Sequence, residues 1–156
     1  MTTRAPSTSL QVRAATQADL LEIYRIERAS FPQPWPFGAF EQFLGEPGFL
    51  VGSLPEVAVA GYIVADTMPN HGRPLGHVKD LAVHPDHRGT GIGASLLQGA
   101  LDVMTACNAQ WVKLEVREGN DHAIDLYRGF GFEHHHTIPR YYENGDDALV
   151  MVRVMD

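Results

Sequence analysis

"HPDHRGTGIGASLL", residues 84–97, sets glycines at positions 89, 91 and 93, where one apolar rhythm stops and another begins. Before it, "GHVKDLAV" (76–83) alternates as a strand does, with Val78, Asp80 and Ala82 on one face and His77, Lys79, Leu81 and Val83 on the other. After it, "GASLLQGALDVMTACN" spaces Leu96, Leu97, Ala100, Leu101 and Met104 as a helix does. A glycine-rich turn between a strand and a helix lets the backbone approach a ligand closely, because no Cβ intervenes.

Working outward, "VRAATQADLLEIYRIERASF" predicts a short strand around Val12 and a helix capped by Thr16, with Leu20, Leu21, Ile23, Tyr24 and Ile26 on its apolar face. Pro32, Pro34 and Pro36 in "FPQPWPFGAF" exclude regular helix there, and a short helix is expected from Phe37 to Leu44. "GFLVGSL" and "VAVAGYIVADTM" read as a hairpin of strands. "QWVKLEVR" is a strand, "DHAIDLYRGFGF" a helix ended by glycine, and "DDALVMVRV" a final strand. The order β-α-α-β-β-β-α-β-α-β predicts an α/β fold, a mixed sheet with helices on its faces, in one domain over residues 1–156.

A chain of 156 residues with 44% hydrophobic content suits one globular domain. It contains no apolar run long enough for a membrane span and no signal-peptide pattern at the start, so a cytoplasmic location is expected. The formal charge of −7 argues against nucleic acid as a partner and suits a cationic substrate such as an amine. Cys107 is alone, so no internal disulfide forms, and its place near a helix end predicts buried packing rather than reactivity.

Three phosphate-binding readings compete for the glycine stretch. A Walker loop needs Lys and Ser/Thr after its last glycine, whereas Ala94 and Ser95 follow Gly93. The dinucleotide fingerprint fits literally as Gly89, Gly91 and Ala94, with Glu115 near a ribose-binding position. "HPDHR" separates that turn from its strand, and too little chain follows for a two-half dinucleotide domain. In the third reading, Arg88-Gly89-Thr90-Gly91-Ile92-Gly93 offers successive amides and a guanidinium to a pyrophosphate at a helix start.

"LAVHPDHRGTGIGASLL" followed by "LEVREGNDHAIDLYRGFGF" resembles the Gcn5-related N-acetyltransferase (GNAT) superfamily, whose signature Q/R-x-x-G-x-G/A is met by Arg88, Gly91 and Gly93. The resemblance covers roughly residues 10–154 and implies acetyl-coenzyme A as donor. "SFPQPWP", "LEVREGNDHAIDLY" and "RYYENGDDALVM" are similar to the ribosomal-protein alanine acetyltransferase and the archaeal and eukaryotic N-terminal acetyltransferases. The fold it implies is a sheet of about six to seven strands flanked by about four helices.

The resemblance also implies roles. Glu115 falls on the general-base position and Tyr127 on the general-acid position, and Asn120 bonds the pantetheine arm. The backbone of Leu81, Ala82 and Val83 pairs with pantetheine and polarises the acetyl oxygen, while Arg88 to Ala94 holds the phosphates. His77 shares strand parity with Leu81 and relays a proton through water, or simply packs. Desolvation between Leu114 and Val116 is expected to raise the Glu115 pKa, and an ordinary ion pair with Lys113 or Arg117 is the alternative.

Phe31, Pro32, Trp35, Tyr141 and Tyr142 are expected to wall the acceptor site, which suits a protein N-terminus, including that of a ribosomal protein. A lysine side chain, a small amine, or a non-catalytic acetyl-coenzyme A sensor remain alternatives. His134, His135 and His136 tempt a metal reading, but consecutive strand residues alternate faces and do not converge on one ion.

Overall fold

The structure, a computed structural model, describes residues 9–156. Among these are β1 (Gln11–Ala14), α1 (Leu20–Ser30), α2 (Phe37–Glu41), β2 (Phe49–Leu54), β3 (Val57–Met68) and β4 (Leu75–Val83). Then come α3 (Ile92–Ala106), β5 (Trp111–Arg117), α4 (Asp121–Gly129), β6 (Glu133–Ile138) and β7 (Ala148–Val154). The seven strands run in the order β1-β2-β3-β4-β5-β7-β6, the expected mixed sheet with four helices. Contacts group the chain into two compact units, residues up to Asp66 with Asp80–Val103, and Thr67–Lys79 with Met104–Asp156.

In the first unit β1 and β2 are antiparallel, as are β2 and β3. Thr16 begins a turn of 3-10 helix, Gln17–Asp19, before α1. Asp19 accepts the Thr16 amide at 2.8 Å and both ends of the Arg13 guanidinium at 2.7 and 2.9 Å. The Arg13 hydrogen bond outweighs the effect of burial and lowers the Asp19 pKa. Leu20, Ile23 and Ile26 are buried, but Leu21 is 52% exposed, because the buried stripe continues to Glu27 instead. The helix at α2 stops short of Leu44. Phe43 and Leu44 donate to Phe40 and Glu41 at 3.1 and 3.3 Å, so the chain continues in three-residue turns.

Gly52 of β2 faces Gly61 of β3 across the ladder, and the pair lets α3 lie close on the sheet. A Cβ on Gly61 would stand 3.0 Å from the Ala82 carbonyl oxygen, 3.1 Å from Leu96 and 3.2 Å from Ile92, while one on Gly52 would stand 3.3 Å from Ile92. The start of α3, which follows the glycine-rich turn, is therefore seated by two missing side chains. Leu96, Leu97, Ala100 and Leu101 fill the interface, as their spacing predicts.

In the second unit β5 runs parallel to β4 over Gly76–Val78 and antiparallel to β7 along its whole length. Val112, Leu114 and Val116 are buried, so Trp111, Lys113, Glu115 and Arg117 share the opposite face. The strand β6, with sequence EHHHTI, was not expected: it pairs with β7 at the sheet edge, and its polar, exposed residues carry no apolar alternation. Cys107, just past α3, is half-buried rather than buried, because the helix has ended and no core face remains for it.

Replacing Gly61 by Ala should destabilise the protein by about 1–3 kcal/mol, since a backbone carbonyl on the far side cannot move away cheaply. Gly129→Ala, at a helical position where an added Cβ meets nothing within 4 Å, should be neutral or stabilising by a few tenths of a kcal/mol. Urea unfolding of the two variants against the parent measures both signs.

Candidate active site

In the second unit the parallel register sets His77 opposite Lys113, and Glu115 lies two residues further along the same face of β5. His77 Nε2 meets Glu115 Oε1 at 2.7 Å, and Lys113 Nζ lies 3.3 Å from Oε2. The side chains of His77 and Glu115 are each 15% exposed, close enough to solvent to meet a substrate and dry enough for the contact to be strong. His77 therefore touches Glu115 directly, a contact that strand parity alone did not reveal.

The expected rise in the Glu115 pKa is not what the site produces. Burial does push it up, but the His77 hydrogen bond and charge, followed by those of Lys113, outweigh burial and leave it below the ordinary carboxylate range. Of the ion pairs expected for Glu115, the one with Lys113 is present, alongside the His77 contact. Arg117, the other expected partner, makes contacts on the side of the 141–146 turn. That guanidinium bonds Asp146 at 2.8 Å and Asn144 at 2.9 Å, and lies 3.9 Å from the centre of the Tyr142 ring.

The turn that carries Tyr141 and Tyr142 is tied at its base, both amides donating to the Asp146 carbonyl at 3.0 and 3.1 Å. The two rings meet edge to face at 5.0 Å, with Tyr141 50% exposed. Burial raises the Tyr142 pKa, the Arg117 charge opposes the rise, and Tyr141 and Glu115 add to it. The phenol thus feels the Glu115 charge, which groups Tyr142 with the His77–Glu115 pair.

Asn120 caps α4, its Oδ1 accepting the Ala123 amide at 3.4 Å, and it is exposed. Tyr127, two turns on, is buried and meets Phe132 edge-on at 6.0 Å. The helix that spaces them also separates their environments.

In the first unit, β4 ends at Leu81, Ala82 and Val83, and a 3-10 turn at Pro85–His87 leads into the glycines. Arg88 donates from Nε to the Val83 carbonyl and from Nη2 to Ser30 Oγ, both at 3.0 Å. Thr90 Oγ1 donates to the His87 carbonyl at 2.6 Å. Gly89 and Gly91 have φ of 79° and 86°, which only glycine adopts cheaply, and a Cβ on either would meet nothing within 4 Å. Ile92, Gly93 and Ala94 open α3. Phe31 and Trp35 pack against the core, Trp35 lying 5.2 Å from the Phe40 ring and 5.8 Å from Phe43, while Pro32 is exposed.

Two features escaped sequence reasoning. Glu27 is 1% exposed and accepts the Trp35 amide at 2.8 Å; its signal was a carboxylate in the apolar register of α1. The other is an irregularity in β6 between His134 and His136, where alternation breaks. His135 and His136 consequently line one groove of about 470 Å³ with Trp111, Lys113 and Glu115, their Nδ1 atoms 2.7 Å apart. The expectation of strictly alternating imidazoles is corrected accordingly.

The Glu115 contribution to stability follows its lowered pKa: it is present above the ordinary carboxylate range and lost as pH falls through the folded-state value. Replacing His77 by Phe removes the largest lowering influences and leaves burial in place, so the Glu115 pKa should rise. A carboxyl-carbon NMR titration of parent and variant should show Glu115 moving to higher pH. An unmoved midpoint would mean that His77 does not govern it.

Residues 20–132 match the Acetyltransferase (GNAT) family. The chain is 37% identical over 153 residues to an N-alpha-acetyltransferase of Sulfolobus acidocaldarius, covering 90% of each chain. It is 31% identical over 151 residues to a putative [ribosomal protein bS18]-alanine N-acetyltransferase of Bacillus subtilis, covering 92% of this chain and 95% of the relative. Among solved structures it resembles Ard1 from Thermoplasma volcanium, with a TM-score of 0.86 at 27% identity, over 95% of this chain and 99% of the other. The signature glycines, the strand order and these relatives together make this chain a member of the GNAT acetyltransferase family, an N-acetyltransferase.

Proposed function

We propose that the chain transfers an acetyl group from acetyl-coenzyme A to the N-terminal α-amine of proteins, with Glu115 as the base. The observation that carries this reading is the His77–Glu115–Lys113 cluster, a half-dry carboxylate held ionised by two donors. Each carboxylate oxygen has a second lone pair, so Glu115 can still accept a proton from the acceptor nitrogen.

The direction of the Glu115 shift favours one class of amine. An α-amine has a pKa near 8 and is roughly one-tenth neutral at pH 7, whereas a lysine near 10.4 is neutral in only about one molecule in 2,500. Freeing the lysine costs about 3 kcal/mol more. A carboxylate held below its ordinary pKa is a weak base and supplies little of that difference. The relatives named N-alpha-acetyltransferase support the same acceptor.

Acetyl-coenzyme A supplies an activated thioester. The Arg88–Ala94 stretch suits its pyrophosphate, because Gly89 and Gly91 leave open space above their amides and Arg88 brings a positive charge. Backbone groups of Leu81, Ala82 and Val83 are assigned to the pantetheine arm and the acetyl oxygen. In the second unit, Asn120 is assigned to the same arm and the Tyr127 hydroxyl to protonating the leaving sulfur. Tyr141 and Tyr142 offer hydroxyls to a peptide backbone, and in the first unit Phe31, Pro32 and Trp35 offer an apolar wall to the first side chain.

Glu115→Gln should lower kcat by about 10² to 10⁴-fold with little change in acceptor KM, the range for losing a general base. An unchanged pH dependence of kcat would remove Glu115 from the role and pass it to His77. Peptides with free and blocked N-termini, each with and without an internal lysine, test the acceptor. Acetylation should follow the free N-terminus, and activity confined to blocked, lysine-bearing peptides would overturn the assignment.

A further inference from the structure

The first unit holds a second cluster of ionisable groups that the proposed chemistry does not use. Glu27 of α1 lies in the core, accepting the Tyr62 hydroxyl on Oε1 at 2.5 Å and the Trp35 amide on Oε2 at 2.8 Å. Tyr62 is fully buried on β3. The Trp35 amide belongs to the proline-rich 31–36 loop, so a core carboxylate holds that loop from beneath.

Asp80 of β4 neighbours Glu27 closely enough for each carboxyl to feel the other. Asp80 Oδ1 accepts the Leu81 amide at 3.0 Å, but Oδ2 is shut off from solvent and has no donor. Two buried carboxylates cannot both stay ionised at such range. A proton on Asp80 Oδ2 turns the orphaned acceptor into a donor to Glu27. The titratable groups facing Asp80 are Glu27 from α1 and Tyr62 from β3, and neither brings a positive charge. Burial first, then the hydrogen bond and charge of Glu27, push the Asp80 pKa well up, against a small opposing effect of the Leu81 amide.

We propose that Glu27 and Asp80 are positioning residues for the acceptor wall: a proton held on Asp80 steadies the Glu27 carboxylate, which in turn fixes the Trp35 backbone and the 31–36 loop. The inference rests on the assignment of that loop to acceptor binding. It makes Asp80 a neutral donor, whose isostere is asparagine.

Two readouts need no catalysis. In a Trp111→Phe background, Trp35 is the sole indole of the chain, and acrylamide quenching reports how firmly the loop is seated. Asp80→Asn should match the parent, because its amide still donates to Glu27, whereas Asp80→Leu should increase quenching. Melting temperature gives the second. A raised carboxyl pKa contributes stability that is full below the ordinary carboxylate range and lost as pH rises through the folded value. The advantage of Asp80→Asn over the parent should therefore grow from pH 4 to pH 8. With a peptide acceptor, Asp80→Leu should raise KM about tenfold, the scale of one charge-assisted hydrogen bond, with kcat changed by less than about threefold, and Asp80→Asn should restore KM.

Equal quenching in the Asn and Leu variants, or a melting difference that does not vary with pH, overturns the proposal. If quenching and melting behave as expected while no peptide is acetylated, the seating of the loop stands and the acceptor assignment falls.

Discussion

Everything chemical in this chain depends on how β4 alternates. Its odd-numbered side chains include His77, which reaches Glu115 within the second unit. Its even-numbered ones include Asp80, which turns to the opposite face and meets Glu27 within the first. A shift of one residue in this strand would exchange the two faces and dismantle both clusters at once. The parallel pairing of Gly76–Val78 with β5 holds that register in the second unit.

The two carboxyls answer the same physical problem in opposite ways. Burial penalises the charged form of each. Glu115 is given a histidine and a lysine, and ends below its ordinary pKa. Asp80 is given another carboxyl and a backbone amide, and ends well above it. Desolvation alone therefore predicts the direction for Asp80 but not for Glu115. For Glu115 the sign is set by the groups the fold brings within a few ångströms, whereas for Asp80 the neighbouring carboxyl adds to the effect of burial.

Near Glu115 the supporting residues are themselves restrained. Arg117 is held by Asp146, Asn144 and the Tyr142 ring. The turn bearing Tyr141 and Tyr142 is closed by backbone bonds to the Asp146 carbonyl, and its two rings meet edge to face. Around the glycines, Arg88 braces the end of β4 through the Val83 carbonyl. These are local devices, each built within one compact unit.

Periodicity carried the fold. Alternation in β4 and β5, helical spacing in α3, the Thr16 start and the glycine turn at 88–93 are local properties, legible because backbone geometry imposes periods of 2 and 3.6 on any buried face. The edge strand β6 was illegible for the same reason, since a strand exposed on its face has no apolar period to show. The candidate base and its lysine neighbour were visible in "VKLEV". The direction of the Glu115 shift was not, because it depends on His77, 38 residues away in the chain. Glu27 and Asp80 lie 53 positions apart, and only the packing of α1 against the sheet makes them partners. Sequence by itself determined which elements form and which residues could do chemistry. Tertiary structure decided which way their pKa values move, because electrostatic energy depends on distance through space and burial, neither of which a linear spacing records.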